Sequence, residues 1–292
     1  MTPRNAMTVD VEDWFQVQAF AGVIPRAAWE TQERRVVANT ERVLALFAEA
    51  GVKATFFTLG WVAERHPALI RRILAEGHEL ASHGYGHAPV SGMDPESFRQ
   101  DIRRARQVLQ EIGGVEVAGY RAPTFSISRT ATPWAHRILA EEGHRYSSSV
   151  FPGRHAARHE DGAMPEAWQA EGVLELPMTV LHSPLRTLPL SGGGWFRMTP
   201  YPAFRAGLRR VNALGRRGIF YFHPWELDPG QPRVAGAPRL ARLRHYTGLA
   251  HMAPRLGRLL RHFAWGRLDQ VFAAEIAAAA PADHAAPRRA AA

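Results

Sequence analysis

His83 and His87 stand four positions apart in the run ELASHGYGH, residues 79–87. At that spacing two imidazoles meet on one face of a helical turn, or across a tight loop bracketed by Gly84 and Gly86. Two imidazoles and one carboxylate leave open positions on a metal ion, which is the layout of a catalytic rather than a structural site. Carboxylates cluster in TVDVEDWF (8–15), where Asp10, Glu12 and Asp13 follow an apolar strand start. Three acids this close ionise together in a partly buried place only if a cation or an arginine offsets them. In an extended strand Asp10 and Glu12 point to one face and Asp13 to the other.

Two further runs carry chemistry. GYRAPTFSIS (119–128) presents Arg121, which cannot deprotonate and so can hold a carboxylate ionised and oriented, on a loop stiffened by Pro123. IFYFHPWELDPGQPR (219–233) leads an apolar strand into His223, a proton shuttle near neutral pH, with Trp225 beside it as packing or as a face for a sugar ring. Taken singly each has an ordinary reading: a solvated acidic loop, a surface arginine, a core histidine. The chain holds 14 histidines, so only convergence of the runs gives them weight.

The elements that must position these residues show a rhythm. LALFAEAGVKATFF (44–57), RRILAEGHELASH (71–83) and HRILAEEGHRYSSS (136–149) each read as amphipathic helix, glycine, short strand. Gly51, Gly77 and Gly143 fall where a left-handed C-terminal cap belongs; Pro67 and Pro133 sit at first helical positions, with Thr132 as an N-cap. A further helix runs from about Pro95 to Ile112, capped by Asp94, with Phe98, Ile102, Ala105, Leu109 and Ile112 as its apolar stripe. Helix and strand alternating in this way predict βα units and a mainly parallel sheet or barrel, whose working residues sit at the C-terminal strand ends. Strand candidates end at Asp10, His83, Arg121 and His223, each a polar side chain after an apolar run.

Bulk composition narrows the rest. With 292 residues, 46% hydrophobic and 22% charged, the chain is an ordinary enzyme-sized globule. The absence of cysteine excludes disulfides, thiolate metal sites and cysteine nucleophiles. No apolar run is long enough to span a bilayer, and MTPRNAMTVDVEDWF lacks an apolar core of signal-peptide length, which points to the cytoplasm. The net charge of +9 comes from arginines spread along solvated helix faces, without the aromatic-interleaved basic motif of a nucleic-acid binder. AAEIAAAAPADHAAPRRAAA reads as a disordered tail over 273–292.

In this order the runs resemble the NodB-type polysaccharide deacetylases of carbohydrate esterase family 4: an acidic strand end, S-H-x-x-x-H, R-x-P and a late histidine. VDVEDWF, ASHGYGH, GYRAPTFSIS, SGGGWFR (191–197), FHPWELDPGQPR and RHYTGL with RLGRLLRHF further resemble deacetylases found with exosortase-linked exopolysaccharide loci. The resemblance implies a deformed (β/α) barrel over residues 1–230 and a subgroup extension packed on it over 231–272. It implies hydrolysis of N-acetyl groups on an amino-sugar polysaccharide, or on its lipid-linked precursor at the inner face of the membrane. A divalent metal is implied, foremost Zn2+, with Co2+, Ni2+ or Fe2+ as alternatives. Carried over by position, His83 and His87 become ligands, Asp10 the general base, Arg121 its orienting partner and His223 the general acid. Tyr120, Pro123, Trp195 and Trp225 become substrate contacts, and Trp14 and Trp61 further candidates for an aromatic groove.

Two departures stand out. Many members have adjacent aspartates, whereas Val11 follows Asp10 here, so the carboxylate ligand must be Glu12 or Asp13; an extended strand favours Glu12 and a turn favours Asp13. Tyr146-Ser147-Ser148-Ser149 stands where related sequences often read Tyr-Asp-Ser-Ser. Competing expectations are hydrolysis of a small non-sugar amide on the same fold, a non-haem iron oxygenase built on the same two-histidine, one-carboxylate set, and an inactive sugar-binding module.

Overall fold

A computed structural model describes residues 4–152, 166–182 and 187–279. The strands are β1 Asn5–Val11, β2 Thr55–Thr58, β3 Glu79–Ser82, β4 Gly119–Tyr120, β5 Tyr146–Ser147, β6 Trp168–Ala170, β7 Val173–Glu175, β8 Val180–His182, β9 Thr187–Pro189, β10 Ile219–Phe222 and β11 Trp265–Gly266. The helices are α1 Val36–Ala50, α2 Gly60–Arg65, α3 Pro67–Ala75, α4 Pro95–Gly113, α5 Ala135–Glu141, α6 Gly193–Met198, α7 Tyr201–Ala213, α8 Arg239–Tyr246, α9 Leu249–His262, α10 Leu268–Val271 and α11 Ala273–Ala279.

One sheet runs in the order β10-β1-β2-β3-β4-β5-β7-β6, parallel except for β6, with β11 added on β1; β8 and β9 pair separately. Among the described residues no pairing joins β10 to β6, so the sheet curls without closing, a deformed βα barrel. Alternation along β1 divides its side chains. Met7, Val9 and Val11 face outward into a core shared with Phe47 of α1, Phe222 of β10 and Leu256 and Leu259 of α9. Ala6 faces inward, where Phe57, Ala81, Tyr146, Leu174 and Ile219 meet Leu268 and Phe272 and fill the concave side.

The helices form where the sequence marks them. Asp94 caps α4 by accepting from the backbone N–H of Glu96 (3.0 Å) and Ser97 (2.9 Å), and Phe98, Ile102, Ala105 and Leu109 are its buried stripe. Gly51, at φ 65°, ends α1 in the left-handed conformation. α1 begins at Val36 and buries Val43, Leu44 and Phe47; cutting Phe47 back to alanine would cost about 3–5 kcal/mol. Pro67 opens α3 as expected. Thr132 does not cap α5, whose first residue is Ala135: its hydroxyl instead accepts from the Ser128 N–H (2.9 Å) and closes the preceding turn.

Residues 231–272 return to the sheet. α9 buries Leu249, Met252, Leu256, Leu259 and Leu260, and β11 pairs Trp265 and Gly266 with Asn5 and Ala6. Ala273–Ala279, placed in the tail by composition, form α11; residues 280–292 lie outside the described residues.

Candidate active site

The polar residues at the strand ends converge at one rim of the sheet. Asp10 precedes the last residue of β1; His83, Arg121 and His223 directly follow β3, β4 and β10. Ligand atoms of Glu12, His83 and His87 lie within 4.8 Å of one another, and all three side chains are buried. Glu12 Oε2 stands 2.6 Å from His87 Nε2 without hydrogen-bonding geometry, and His87 Nδ1 likewise has no partner. His83 Nδ1 lies 2.8 Å from the Arg121 carbonyl, which can only accept, so Nδ1 carries the proton and Nε2 keeps its lone pair. That second contact is how metal-ligating imidazoles are held. A buried carboxylate oxygen and two imidazole nitrogens gathered this closely are the donor set a divalent cation requires.

Electrostatics suit the same reading. Burial is the largest influence on Glu12 and opposes its charge, but His87, His223 and His83 outweigh it and hold the carboxyl well below its ordinary range. Burial pushes His83 down to about 4 against the pull of Asp10, so it is neutral at physiological pH. His87 sits at φ 54°, a conformation costly for a non-glycine residue. The segment 83–87 is a loop rather than a helical turn. Arg26 Nη1 donates to the Gly86 carbonyl (2.6 Å), and a Cβ at Gly86 would fall 1.4 Å from that nitrogen, so only glycine lets the arginine clasp the loop.

On one side of this cluster lies a fully buried pair. Arg121 Nη1 donates to Asp10 Oδ1 and to Thr8 Oγ1, both at 2.7 Å. Its remaining nitrogens reach the Ser148 carbonyl (3.1 Å) and Ser148 Oγ (3.0 Å). The segment carrying Ser148 is fixed in turn by Glu175, whose Oε1 accepts from the N–H of Ser149 (2.7 Å) and Val150 (2.9 Å), while Oε2 lies 2.9 Å from His136 Nε2. A buried carboxylate therefore does serve the strand at Ser147, but it comes from β7.

On the other side stands His223. Its Nδ1 is 2.9 Å from Glu226 Oε1 and its Nε2 faces Glu12 Oε1 at 3.5 Å. Glu226 also accepts from Arg197 Nε (2.7 Å), and both side chains are buried. Burial would raise the Glu226 carboxyl, yet Arg197 and His223 pull it down to about 2. Burial lowers His223, and Glu12 and Glu226 overcome it, lifting the imidazole to about 9. Trp225 is packed face to face between His223 (5.0 Å) and His245 (4.1 Å), and its Nε1 donates to Glu12 Oε1 (3.1 Å).

Sequence reasoning proposed more contacts than the structure brings together. Asp13 turns away from the cluster: Oδ2 accepts from the N–H of Arg35 (2.7 Å) and Val36 (3.0 Å) at the start of α1, and Oδ1 from that of Trp14 (2.9 Å). The carboxylate beside the histidines is Glu12. The Tyr120 ring, adjacent to the inward Arg121, points the opposite way into the layer below α4 against Phe98 and is fully buried. Trp14 and Trp61 are buried with Phe15 and Trp29, and both faces of Trp225 are covered by imidazoles, so none of these offers a face to a sugar. Pro123 is buried and opens the turn that holds Arg121, whose next residues Thr124 and Phe125 have positive φ. Trp195, on α6, is exposed. Glu226, Arg197 and Glu175 were missed. Glu226 had a signal, standing one turn after His223 in HPWE.

Residues 27–145 match the family model described as polysaccharide deacetylase, and residues 148–273 match one described as a domain of unknown function, DUF3473. Over 96 residues the chain is 31% identical to a peptidoglycan-N-acetylglucosamine deacetylase of Bacillus cereus, covering 33% of this chain and 35% of that one. Over 103 residues it is 37% identical to a chitooligosaccharide deacetylase of Sinorhizobium fredii, covering 34% and 44%. The chain thus spans less than half the length of these relatives. The fold aligns with the crystal structure of a Mycobacterium smegmatis protein considered a polysaccharide deacetylase, at a TM-score of 0.60 and 24% identity over 95% of this chain and 91% of that one. The two family matches divide the barrel itself: His83, His87 and Arg121 fall in the first, Glu175, Arg197, His223 and Glu226 in the second. Residues 27–145 are thus similar to polysaccharide deacetylases, and the chain as a whole shares the fold of the Mycobacterium smegmatis structure.

Proposed function

We propose that this chain is a metal-dependent hydrolase that removes N-acetyl groups from an amino-sugar saccharide. The observation that carries the reading is the Glu12–His83–His87 cluster flanked by two separately wired proton-handling groups, Asp10 on Arg121 and His223 on Glu226. When bound there, a divalent cation, zinc foremost, supplies Lewis acidity toward an acyl oxygen and acidifies water. The chain's own residues do the rest. Asp10, held by Arg121 with no freedom to swing, takes a proton from the attacking water as general base. His223 is kept cationic and aimed by Glu226, so its Nε2 can protonate the departing amine nitrogen. Trp225 locks the plane of that imidazole, and exposed Trp195 is a platform for a sugar ring at the rim. The motif runs shared with exosortase-linked deacetylases support a substrate in exopolysaccharide synthesis, as polymer or lipid-linked precursor on the cytoplasmic side; fractionation that finds the native protein outside the inner membrane would overturn that placement.

The test is acetate release from an N-acetylated chito-oligosaccharide by the protein as isolated, after chelation, after zinc return, and as His83→Ala. Release should vanish on chelation and in the variant, and return with zinc in the wild type alone. Release that survives chelation would overturn the metal reading. Stoichiometric metal held through His83 with no acetate released would overturn the substrate.

A further inference from the structure

Between Glu175 and Asp269 the sequence contains 15 arginines and only two carboxylates, Glu226 and Asp228. Neither carboxylate reaches the surface: Glu226 is paired with Arg197 and Asp228 with Arg35, and both are buried. Arg217 and Arg267 pair with Glu166, Glu275 and Asp269, but among the described residues Arg233, Arg239, Arg242 and Arg244, on and beside α8, form no ion pair, which leaves that face basic. It also carries most of the large apolar side chains left in solvent: Trp195 (48% exposed) and Met198 (42%) on α6, Leu240 (57%) and Leu243 (62%) on α8, and Val23 (41%), which lies against the loop at Gly236. α6 and α8 are neighbours, because the Arg197 guanidinium donates to the carbonyls of Arg244 (3.3 Å), His245 (3.2 Å) and Thr247 at the end of α8. Arg233, Arg239 and Arg242 surround Leu243 in a shallow cleft, with Arg233 stacked 4.2 Å from the Tyr246 ring.

We propose that this face, α6 with α8, docks on an anionic phospholipid bilayer. Arginines without carboxylate neighbours are attracted to a negative surface, and the attraction is screened by salt. A soluble polyanion would use the arginines alone and gain nothing from two exposed leucines one turn apart on the same helix. A bilayer uses both, the apolar side chains entering the headgroup boundary while the guanidinium groups remain at the phosphates. α6 also borders the site, since a Cβ at Gly193 would fall 2.2 Å from Glu226 Oε1. Docking would thus bring the rim that carries His223 to the lipid–water boundary.

The experiment is co-sedimentation of the full chain with vesicles of phosphatidylcholine alone or mixed with an equal part of phosphatidylglycerol, at low and high salt. Dextran sulfate serves as a soluble polyanion probe. Wild type is compared with Leu240→Ser/Leu243→Ser and Arg239→Ser/Arg242→Ser, each shown to melt as wild type does. Partition onto the anionic vesicles should exceed that onto neutral ones by about 10-fold or more, fall with salt, and drop by about 10-fold in either double variant. Dextran sulfate binding should follow the arginine pair only. Equal partition onto both vesicles would overturn the proposal. So would a leucine variant that keeps wild-type binding to anionic vesicles, which would reassign the face to soluble polyanions. Vesicle binding needs no acetate release, so the outcome is readable whether or not the deacetylase reading holds.

Discussion

Glu226→Gln separates the positioning of His223 from the binding of metal. Glu226 joins two groups, accepting from Arg197 at 2.7 Å and standing 2.9 Å from His223 Nδ1, and all of its charge is offset inside the protein. An amide still accepts one hydrogen bond but leaves the Arg197 guanidinium buried without a counter-charge. Breaking a buried pair in this way costs about 3–5 kcal/mol, and the retained hydrogen bond puts this case near 3. At about 2 cal/mol/K of unfolding entropy per residue, a chain of this size loses about 5 °C of melting temperature for that cost. The effect on rate is separate. His223 loses both the charge that keeps it cationic and the acceptor that fixes its ring, so turnover should fall about 100-fold. Three assays are run together: initial acetate release at saturating zinc, thermal unfolding, and zinc content. Zinc content should stay at the wild-type level, because no ligand is touched. If Glu226 acts through His223, the double variant His223→Ala/Glu226→Gln should be no slower than His223→Ala alone. A Glu226→Gln enzyme with wild-type turnover, or losses that simply multiply in the double variant, would refute the positioning role.

Other substitutions test the remaining wiring. Glu12→Gln should abolish stoichiometric zinc binding, whereas Asp13→Asn should keep the metal and lose about 1 kcal/mol of stability through its weakened cap on α1, read by metal analysis and urea unfolding. Glu175→Ala leaves the N–H groups of Ser149 and Val150 without a partner, so about 2–4 kcal/mol of stability should be lost. Turnover should fall with the slackened Ser148 contact to Arg121 while zinc affinity holds. Glu79, on the inner face of β3, is pushed up to about 8, by burial first and then by neighbouring Asp269. Folded chains hold that proton between about pH 4.5 and 8, where unfolded chains release it. Stability from this group is therefore full below that window and is lost as pH rises through it; the urea midpoint should decline from pH 5 to 8, and Glu79→Gln should flatten the slope.

Much of the site was legible because β-strand side chains alternate. Alternation favoured Glu12 over Asp13, and Glu12 is the carboxylate beside the histidines even though β1 ends at Val11 and the Glu12 N–H turns back to the Asp10 carbonyl (3.1 Å); Asp13 lies at the α1 terminus. The same rule, applied to a strand as short as Gly119–Tyr120, would have sent Tyr120 away from Arg121, so its assignment to substrate ignored a signal that was present. Trp14, Trp61 and Trp225 were misjudged for a different reason: a sequence shows that an aromatic ring exists but not whether both of its faces are already covered. Glu175 and Arg197 lay beyond reach. Each acts on groups about 26 to 50 residues away through a buried charge, and such pairings leave no periodicity along the chain.

β1 carries Asp10 and leads directly into Glu12, yet its neighbours on one flank arrive very late. Ala6 pairs with Ile219 and Asn5 with Trp265, so β1 must wait for more than 200 residues of synthesis before that edge is covered. At ribosomal speeds of about 5–20 residues per second, the wait is on the order of 10–40 s. During it an apolar strand has β2 on one side and open backbone groups on the other, the arrangement most exposed to pairing with the wrong chain. A chain interrupted before residue 219 would lose more than His223. It would keep both histidines of the cluster and an uncovered β1, and its expected fate is aggregation rather than a weaker enzyme.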